Sequence, residues 1–160
     1  MRILIYVLLI ALIQSCDMNK LPPKEFNYEH TRVYEKSYNQ TWDLLKSWCK
    51  INQAYIYFDD QTEGLMNICL KIPDSLIYKY TDYSKNNSNS SFYDVNCNIY
   101  IFLKIHDNKT QVDIKTNFIG KENNTKTVLK GQYTEIDSVK HQSTGILEKE
   151  IFEYLSRHKG

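Results

Sequence analysis

Four cysteines, four histidines and one short cluster of carboxylates are the residues of this 160-residue chain that could carry chemistry. A thiolate is a nucleophile, a metal ligand or an acyl acceptor, and an imidazole is a base or a ligand, when a partner stands nearby. The spacing supplies no such partner. Cys16, Cys49, Cys69 and Cys97 match neither a metal knuckle nor a redox CxxC pair. His30, His106, His141 and His158 are scattered and read as surface residues; only a fold that set His106 or His141 beside carboxylates would make a base of one. Asp59-Asp60 with Glu63 could hold a cation, but acidic groups in such a stretch more simply cap a hairpin turn. HExxH, GxSxG, the phosphate-binding P-loop, the dinucleotide glycine pattern and the EF-hand loop are all missing from the sequence. The expectation is a protein without catalytic residues, metal or cofactor.

The exception is Cys16, because of what precedes it. Arg2 gives a small positive start, and Ile3 to Ile13 form an unbroken apolar run closed by Gln14 and Ser15. A membrane-crossing helix needs about 20 apolar residues, so this shorter run fits the core of an export signal. Ile13-Gln14-Ser15-Cys16 resembles the bacterial lipobox, with a small residue before the cysteine and a branched apolar residue at the first position. The resemblance implies that residues 1–15 are a signal peptide, that the Cys16 thiol receives a diacylglyceryl group, and that the new amine can be acylated too. Two or more acyl chains anchor stably where one is marginal, since each buried methylene contributes about 0.8 kcal/mol. It also implies a lipid-anchored protein of the cell envelope facing the periplasm, with Asp17 resembling the signal for retention at the inner membrane. Five Asn-x-Ser/Thr triplets keep a glycosylated secreted protein as the rival reading, although the Asn, Lys, Ile and Tyr bias suits an AT-rich genome.

With Arg2 removed, nineteen basic side chains face nineteen acidic ones, and no run of like charge stands out. The composition gives no electrostatic reason to bind nucleic acid. Residues 16–28, carrying Pro22-Pro23, read as lipidated cysteine and tether, long enough to hold a domain up to ~35 Å from a membrane. Residues 29–160 suit a single domain.

The elements that would position these residues follow from periodicity. A first strand is expected over Thr31–Lys36. Ser37-Tyr38-Asn39-Gln40 reads as a capping box opening a helix with Tyr38, Trp42, Leu45 and Cys49 on one stripe, flanked by Thr41, Leu44 and Trp48. Strands over Ala54–Asp59 and Leu65–Ile72 are joined by a turn around 60–64; a long strand over Asp94–His106 turns at Asp107-Asn108-Lys109 into another over Gln111–Ile119; a short strand lies around Thr127–Thr134. A last helix carries Leu147, Ile151, Tyr154 and Leu155, with Gly145 either inside it or marking its start beside Ser143 or Thr144. The fold class expected is α+β, a two-layer sandwich of a mostly antiparallel five- to six-stranded sheet with two helices on one face.

Parity then assigns faces. Val95, Cys97, Ile99, Ile101, Leu103 and Ile105 point to the covered side, with Cys49 reaching it from the helix; Tyr100, Phe102 and Cys69 point away. A Cys69–Cys97 disulfide is therefore disfavoured, and buried thiols or a Cys49–Cys97 bridge are expected. Pro73–Tyr93 shows no period and reads as a long loop, bearing Tyr78, Tyr80 and Tyr83 and a polar second half. These tyrosines either lock the loop over a sheet edge or, with Tyr100 and Phe102, meet a partner.

Arg32–Ser37, Thr41-Trp42-Asp43-Leu44-Leu45, Tyr57–Asp60, Glu63-Gly64-Leu65 and Ser143–Glu148 resemble segments of small envelope lipoproteins. Their layout is similar to the helix-grip domains of accessory lipoproteins of the outer-membrane barrel-assembly machinery. The likeness implies a fold and a non-catalytic binding or assembly role beside an envelope protein partner, and carries no catalytic residues. A carrier of small molecules or lipid, with a cavity between helices and sheet, is the alternative.

Overall fold

Strict alternation over a long run makes Asp94–His106 the organising strand, and in the structure it is the centre of the sheet. The protein is described by a computed structural model covering residues 26–83, 90–128 and 131–158, with backbone alone at 90, 124–128 and 131–135. Cys16, Asp17, the signal over 1–15, the tether up to residue 25 and most of the polar half of the Tyr-rich segment lie outside the described residues. The elements are β1 (Thr31–Tyr34), α1 (Tyr38–Ile51), β2 (Tyr55–Asp60), β3 (Leu65–Ile72), a 3-10 turn (Asp74–Leu76), α2 (Ile77–Tyr80), β4 (Ser90–His106), β5 (Lys109–Val128), β6 (Gly131–His141) and α3 (Ile146–Arg157). All the strand pairings are antiparallel, in the order β1-β5-β4-β3-β2, and β6 also pairs with β5. This is an α+β fold built on a six-stranded sheet.

Local sequence explains the starts and stops. Ser37 Oγ accepts the Gln40 N–H and the Gln40 side chain accepts the Ser37 N–H, so the capping box opens α1 as the spacing predicts. Asp60 Oδ1 accepts from the amides of Thr62 and Glu63, at 3.0 and 3.1 Å, which makes it a turn cap. Gly64 follows at φ +72°, and any side chain there would collide with the Leu103 carbonyl, whose own amide donates to Gly64 O at 2.8 Å. Asp107 and Asn108 both take positive φ, the geometry of a two-residue hairpin turn, and His106 pairs with Lys109.

The core joins the helix stripes to one parity of the sheet. Val95, Cys97, Ile99, Ile101 and Leu103 of β4 are buried, with Met66, Ile68 and Ile72 of β3 and Val112, Ile114 and Phe118 of β5. Into the same cluster run Trp42, Leu45, Trp48 and Cys49 of α1 and Leu147, Ile151, Phe152 and Leu155 of α3. Both tryptophans are core residues. Phe152 takes the place expected of Tyr154, which is only partly buried.

Several expectations are corrected. Ile105 has the buried parity yet is 71% exposed, because it sits at the hairpin tip, beyond the end of the core. β1 ends at Tyr34, and the carbonyl of Lys36 accepts the Thr110 hydroxyl instead of continuing the ladder. β5 runs nine residues past the expected Ile119 to Val128. The strand expected over Thr127–Thr134 contains a chain reversal, with Val128 pairing to Gly131. The expected loop over Pro73–Tyr93 holds a 3-10 turn and α2, and its last four residues already belong to β4. Gly145 stands just before α3 at φ +84°, with its amide donated to Ser143 Oγ, so it marks the helix start.

The register places Cys69 opposite Asn98 and Cys97 opposite Leu70, and Cys49, Cys69 and Cys97 are free thiols; the possible Cys49–Cys97 bridge is not formed. Burial pushes the Cys49 thiol up to about 12 and raises Cys97 as well. Burial likewise pushes the Tyr34 hydroxyl up to about 12, against the opposing pull of Arg32. These groups stay neutral in the fold and ionise first in the unfolded chain, near 8.5 for thiols and about 10 for phenols. Their contribution is complete below those values and is lost as pH climbs toward 12. Urea unfolding should give a midpoint that is level from neutrality to about pH 8.5 and falls above it. A Cys49→Ala variant should show a shallower fall; an identical slope would contradict this assignment.

Candidate functional site

Two surfaces gather the residues that composition singled out. The first is the sheet face opposite the buried parity. Antiparallel partners share a face, so Tyr100, opposite Asn67, and Phe102, opposite Leu65, point away from Ile68 and Met66. Each is 40% exposed. Across β3, Phe58 pairs with Asn67 and Tyr55 with Cys69, extending the row to the sheet edge. A register shift between Ile56 and Phe58 gives β2 one extra residue, Tyr57. Its ring meets that of Tyr55 edge-on at 4.9 Å, on the same side. Tyr55, Tyr57 and Phe58 are 65%, 63% and 51% exposed, so five aromatic rings share one open face. The sequence singles out Tyr100 and Phe102 but not the other three; Tyr55 and Tyr57 share one parity, and Phe58 joins them only because the bulge breaks the period. Within this face the Asn67 side-chain oxygen is covered and has no hydrogen-bond partner.

The Tyr-rich segment behaves differently. Tyr80 and Tyr83 are buried and only Tyr78 is exposed. The Tyr83 ring contacts Phe92 and His141 at 5.3 Å each. The segment is stitched to the chain before α3: Asp82 N donates to Gln142 O, Thr144 N to Tyr80 O, and Thr144 Oγ1 to Lys79 O. Tyr80 also donates to Glu150. Of the two roles open to these tyrosines, Tyr80 and Tyr83 are placed to lock the segment. Tyr78 lies near them, ring to ring with Tyr83 at 5.5 Å.

The second surface is a cleft where two strands share one edge of β5. β1 pairs with Thr110–Asp113 and β6 with Phe118–Val128, leaving Ile114–Asn117 between their ends. A cavity of about 590 Å³ opens there, lined among others by Tyr28, His30, Thr116, Asn117, Lys140 and His141. His141 Nδ1 lies 3.0 Å from Asp82 Oδ1, which also accepts the Gln142 amide, and the His141 ring rests on Phe92 at 4.4 Å. This is the histidine–carboxylate pair under which the sequence leaves a base open. Here the Asp82 oxygen also holds the Gln142 amide and the His141 ring packs against Phe92 and Tyr83, so the pair ties segments of the chain together.

Beneath the cleft is Glu148, fully buried in the first turn of α3. It accepts hydrogen bonds from Thr116 and, at 2.9 Å, from Ser143, and the Tyr28 side chain lies close by. Burial first, then the charge of Glu148, pushes the Tyr28 hydroxyl up to about 12. Gly145 allows this, since any side chain there would overlap Tyr28. Hydroxyl donors and the positive end of a helix are the surroundings a buried carboxylate needs. Ser143 is thereby a donor to Glu148 rather than a nucleophile poised on His141, and the arrangement clasps the N-terminal segment to β5 and α3. His106, near Asp107 at 3.6 Å, and His158, against Tyr154, lie at exposed ends. Among the described residues no group of three or more His, Cys, Asp or Glu is placed to hold a metal.

Replacing Glu148 with alanine strands its hydroxyl donors and opens a void, and should cost about 2–4 kcal/mol in urea unfolding. Glu148→Gln, which keeps one acceptor, should cost less. A loss below ~0.5 kcal/mol for the alanine variant would show that the clasp contributes nothing.

The chain matches no protein-family model, no curated protein and no solved structure.

Proposed function

We infer that this chain is an exported lipoprotein, anchored through acylated Cys16, whose domain is a non-catalytic module that binds another component of the cell envelope. The observation that carries the reading is the apolar run ending in Ile13-Gln14-Ser15-Cys16. The core cluster supports it from the other side, for it is assembled from residues between Tyr34 and Leu155. Nine residues separate Cys16 from Phe26. The chain would face the periplasm, with Asp17 favouring the inner membrane, and a second envelope protein is a natural partner in such a setting.

The arrangement that suits this role is two-layered, with α1 and α3 together on the buried face of the sheet. Its support is the parity of burial in β3, β4 and β5 and the shared cluster of the two helices. Tyr100 and Phe102, with Tyr78 nearer the stitched segment, are then the candidate partner-binding side chains. The carrier reading has less behind it: Trp42, Phe118 and Phe152, each at most 1% exposed, occupy the space a ligand cavity between helix and sheet would need.

Intact mass of the protein purified from bacterial membranes tests the anchor. The expected species begins at Cys16 and carries acyl chains, and Cys16→Ala should leave the membrane fraction. A natural product that keeps Met1, or a Cys16→Ala protein still sedimenting with membranes, would overturn it.

A further inference from the structure

The open aromatic face has a composition of its own. Its five rings lie across three adjacent strands, from edge strand β2 to β4. Tyrosine and phenylalanine side by side, with lysines at the margin, suit the zone between water and hydrocarbon, where the ring enters the acyl boundary and the polar tip stays among headgroups. The margin is present: Lys104 and Lys115 are exposed around Phe102, Lys115 pairing across the ladder with Tyr100. Asp113, which pairs across the ladder with Phe102, accepts hydrogen bonds from Thr31 and Gln111. A cavity of about 320 Å³ joins Phe102, Lys104 and Lys115 to His30 and Thr31, so the chain enters the domain beside this face.

That entry point fixes the geometry. The ten residue-to-residue steps from Cys16 to Phe26 span at most ~35 Å fully extended, so an acylated Cys16 keeps the domain within that distance of a bilayer, attached at the rim of its aromatic face. We propose that this face lies on the bilayer itself: Tyr55, Tyr57, Phe58, Tyr100 and Phe102 enter the interfacial zone while Lys104 and Lys115 meet lipid phosphates. The proposal rests on the anchoring reading and names the envelope component that the open face meets. It gives the Tyr57 bulge a purpose, since the extra residue keeps Phe58 on the face of Tyr55 and Tyr57 where simple alternation would turn Phe58 inward.

The face contains its own reporter. Cys69 pairs with Tyr55 and stands in the middle of the aromatic row, half-buried, while Cys49 and Cys97 are sealed in the core. A nitroxide attached to Cys69 of the full, membrane-extracted protein, returned to vesicles of equimolar phosphatidylethanolamine and phosphatidylglycerol, can be read by power-saturation spin resonance. Collisions with oxygen should exceed those with a water-soluble nickel chelate several-fold. Phe102→Glu should reverse that ratio while leaving the circular dichroism unchanged. Nickel-dominated collisions in the lipidated wild type would overturn the proposal. So would exclusion of both relaxants in native membranes but neither in pure lipid, which would identify a protein on this face. Intact mass, taken first, separates the failures: an unlipidated chain sinks the anchoring reading and the docking with it, whereas a lipidated chain with an aqueous nitroxide sinks the docking alone.

Discussion

The two-residue period of β4 is the constraint on which the rest of this structure depends. From Val95 to Leu103 every second side chain is sealed in the core, while Tyr100 and Phe102 between them stay open. A slip of one residue would send five core side chains into water and bring Tyr100 and Phe102 inward, so the register is strongly held. β3 and β5 pair along this strand and inherit its parity. The fate of each thiol follows: Cys97 is interior because it shares parity with Ile99, and Cys69 is on the open side because it pairs with Asn98. The aromatic face is the other consequence of the same alternation.

A second constraint acts at the far edge of the sheet. β5 is too long for one partner, and β1 and β6 divide its edge between them. The interval between their ends would expose polar backbone and part of the core. It is closed by the N-terminal segment around Tyr28, by the chain before α3, and by Glu148, whose carboxylate gathers hydroxyls from both sides of the gap. A buried charge is costly unless it is fully bonded, so the position of this one argues for a defined clasp between the chain entry and the C-terminal helix. Asp82 does similar work nearby, holding His141 and the Gln142 amide. These contacts also pin the Tyr-rich segment, which is why Tyr80 and Tyr83 are interior residues.

The sequence was informative where a period ran long enough to have only one physical meaning. β3 was legible to its ends, β4 over most of its length, and α1 down to its capping box. Legibility stopped where structure depends on pairing with a distant strand. Lys121–Thr127 contains no apolar alternation, and it is extended because the start of β4 pairs with Lys121–Asn124 on one edge and β6 runs along the other. The helical turn after Pro73 is too short to show a helical period, and it is held by residues near 142–144. Tyr100 and Phe102 are readable as outward-facing residues, whereas Phe58 joins Tyr55 and Tyr57 on that face only through a bulge that no alternation rule marks. Nothing in the sequence distinguishes Glu148 from an ordinary acidic residue in the first turn of a helix. Its burial depends on Thr116 and Tyr28, which only the fold brings to it.

The most direct test of a sheet with one sealed and one open aromatic face is residue-resolved oxidative footprinting of the folded protein in detergent-free buffer. The account predicts rapid modification of Tyr55, Tyr57 and Phe58, slower but clear modification of Tyr100 and Phe102, and protection of Trp42, Trp48, Phe118 and Phe152. Modification of the tryptophans at rates matching Tyr55 and Tyr57, or protection of the β2 aromatics in the monomer, would contradict it.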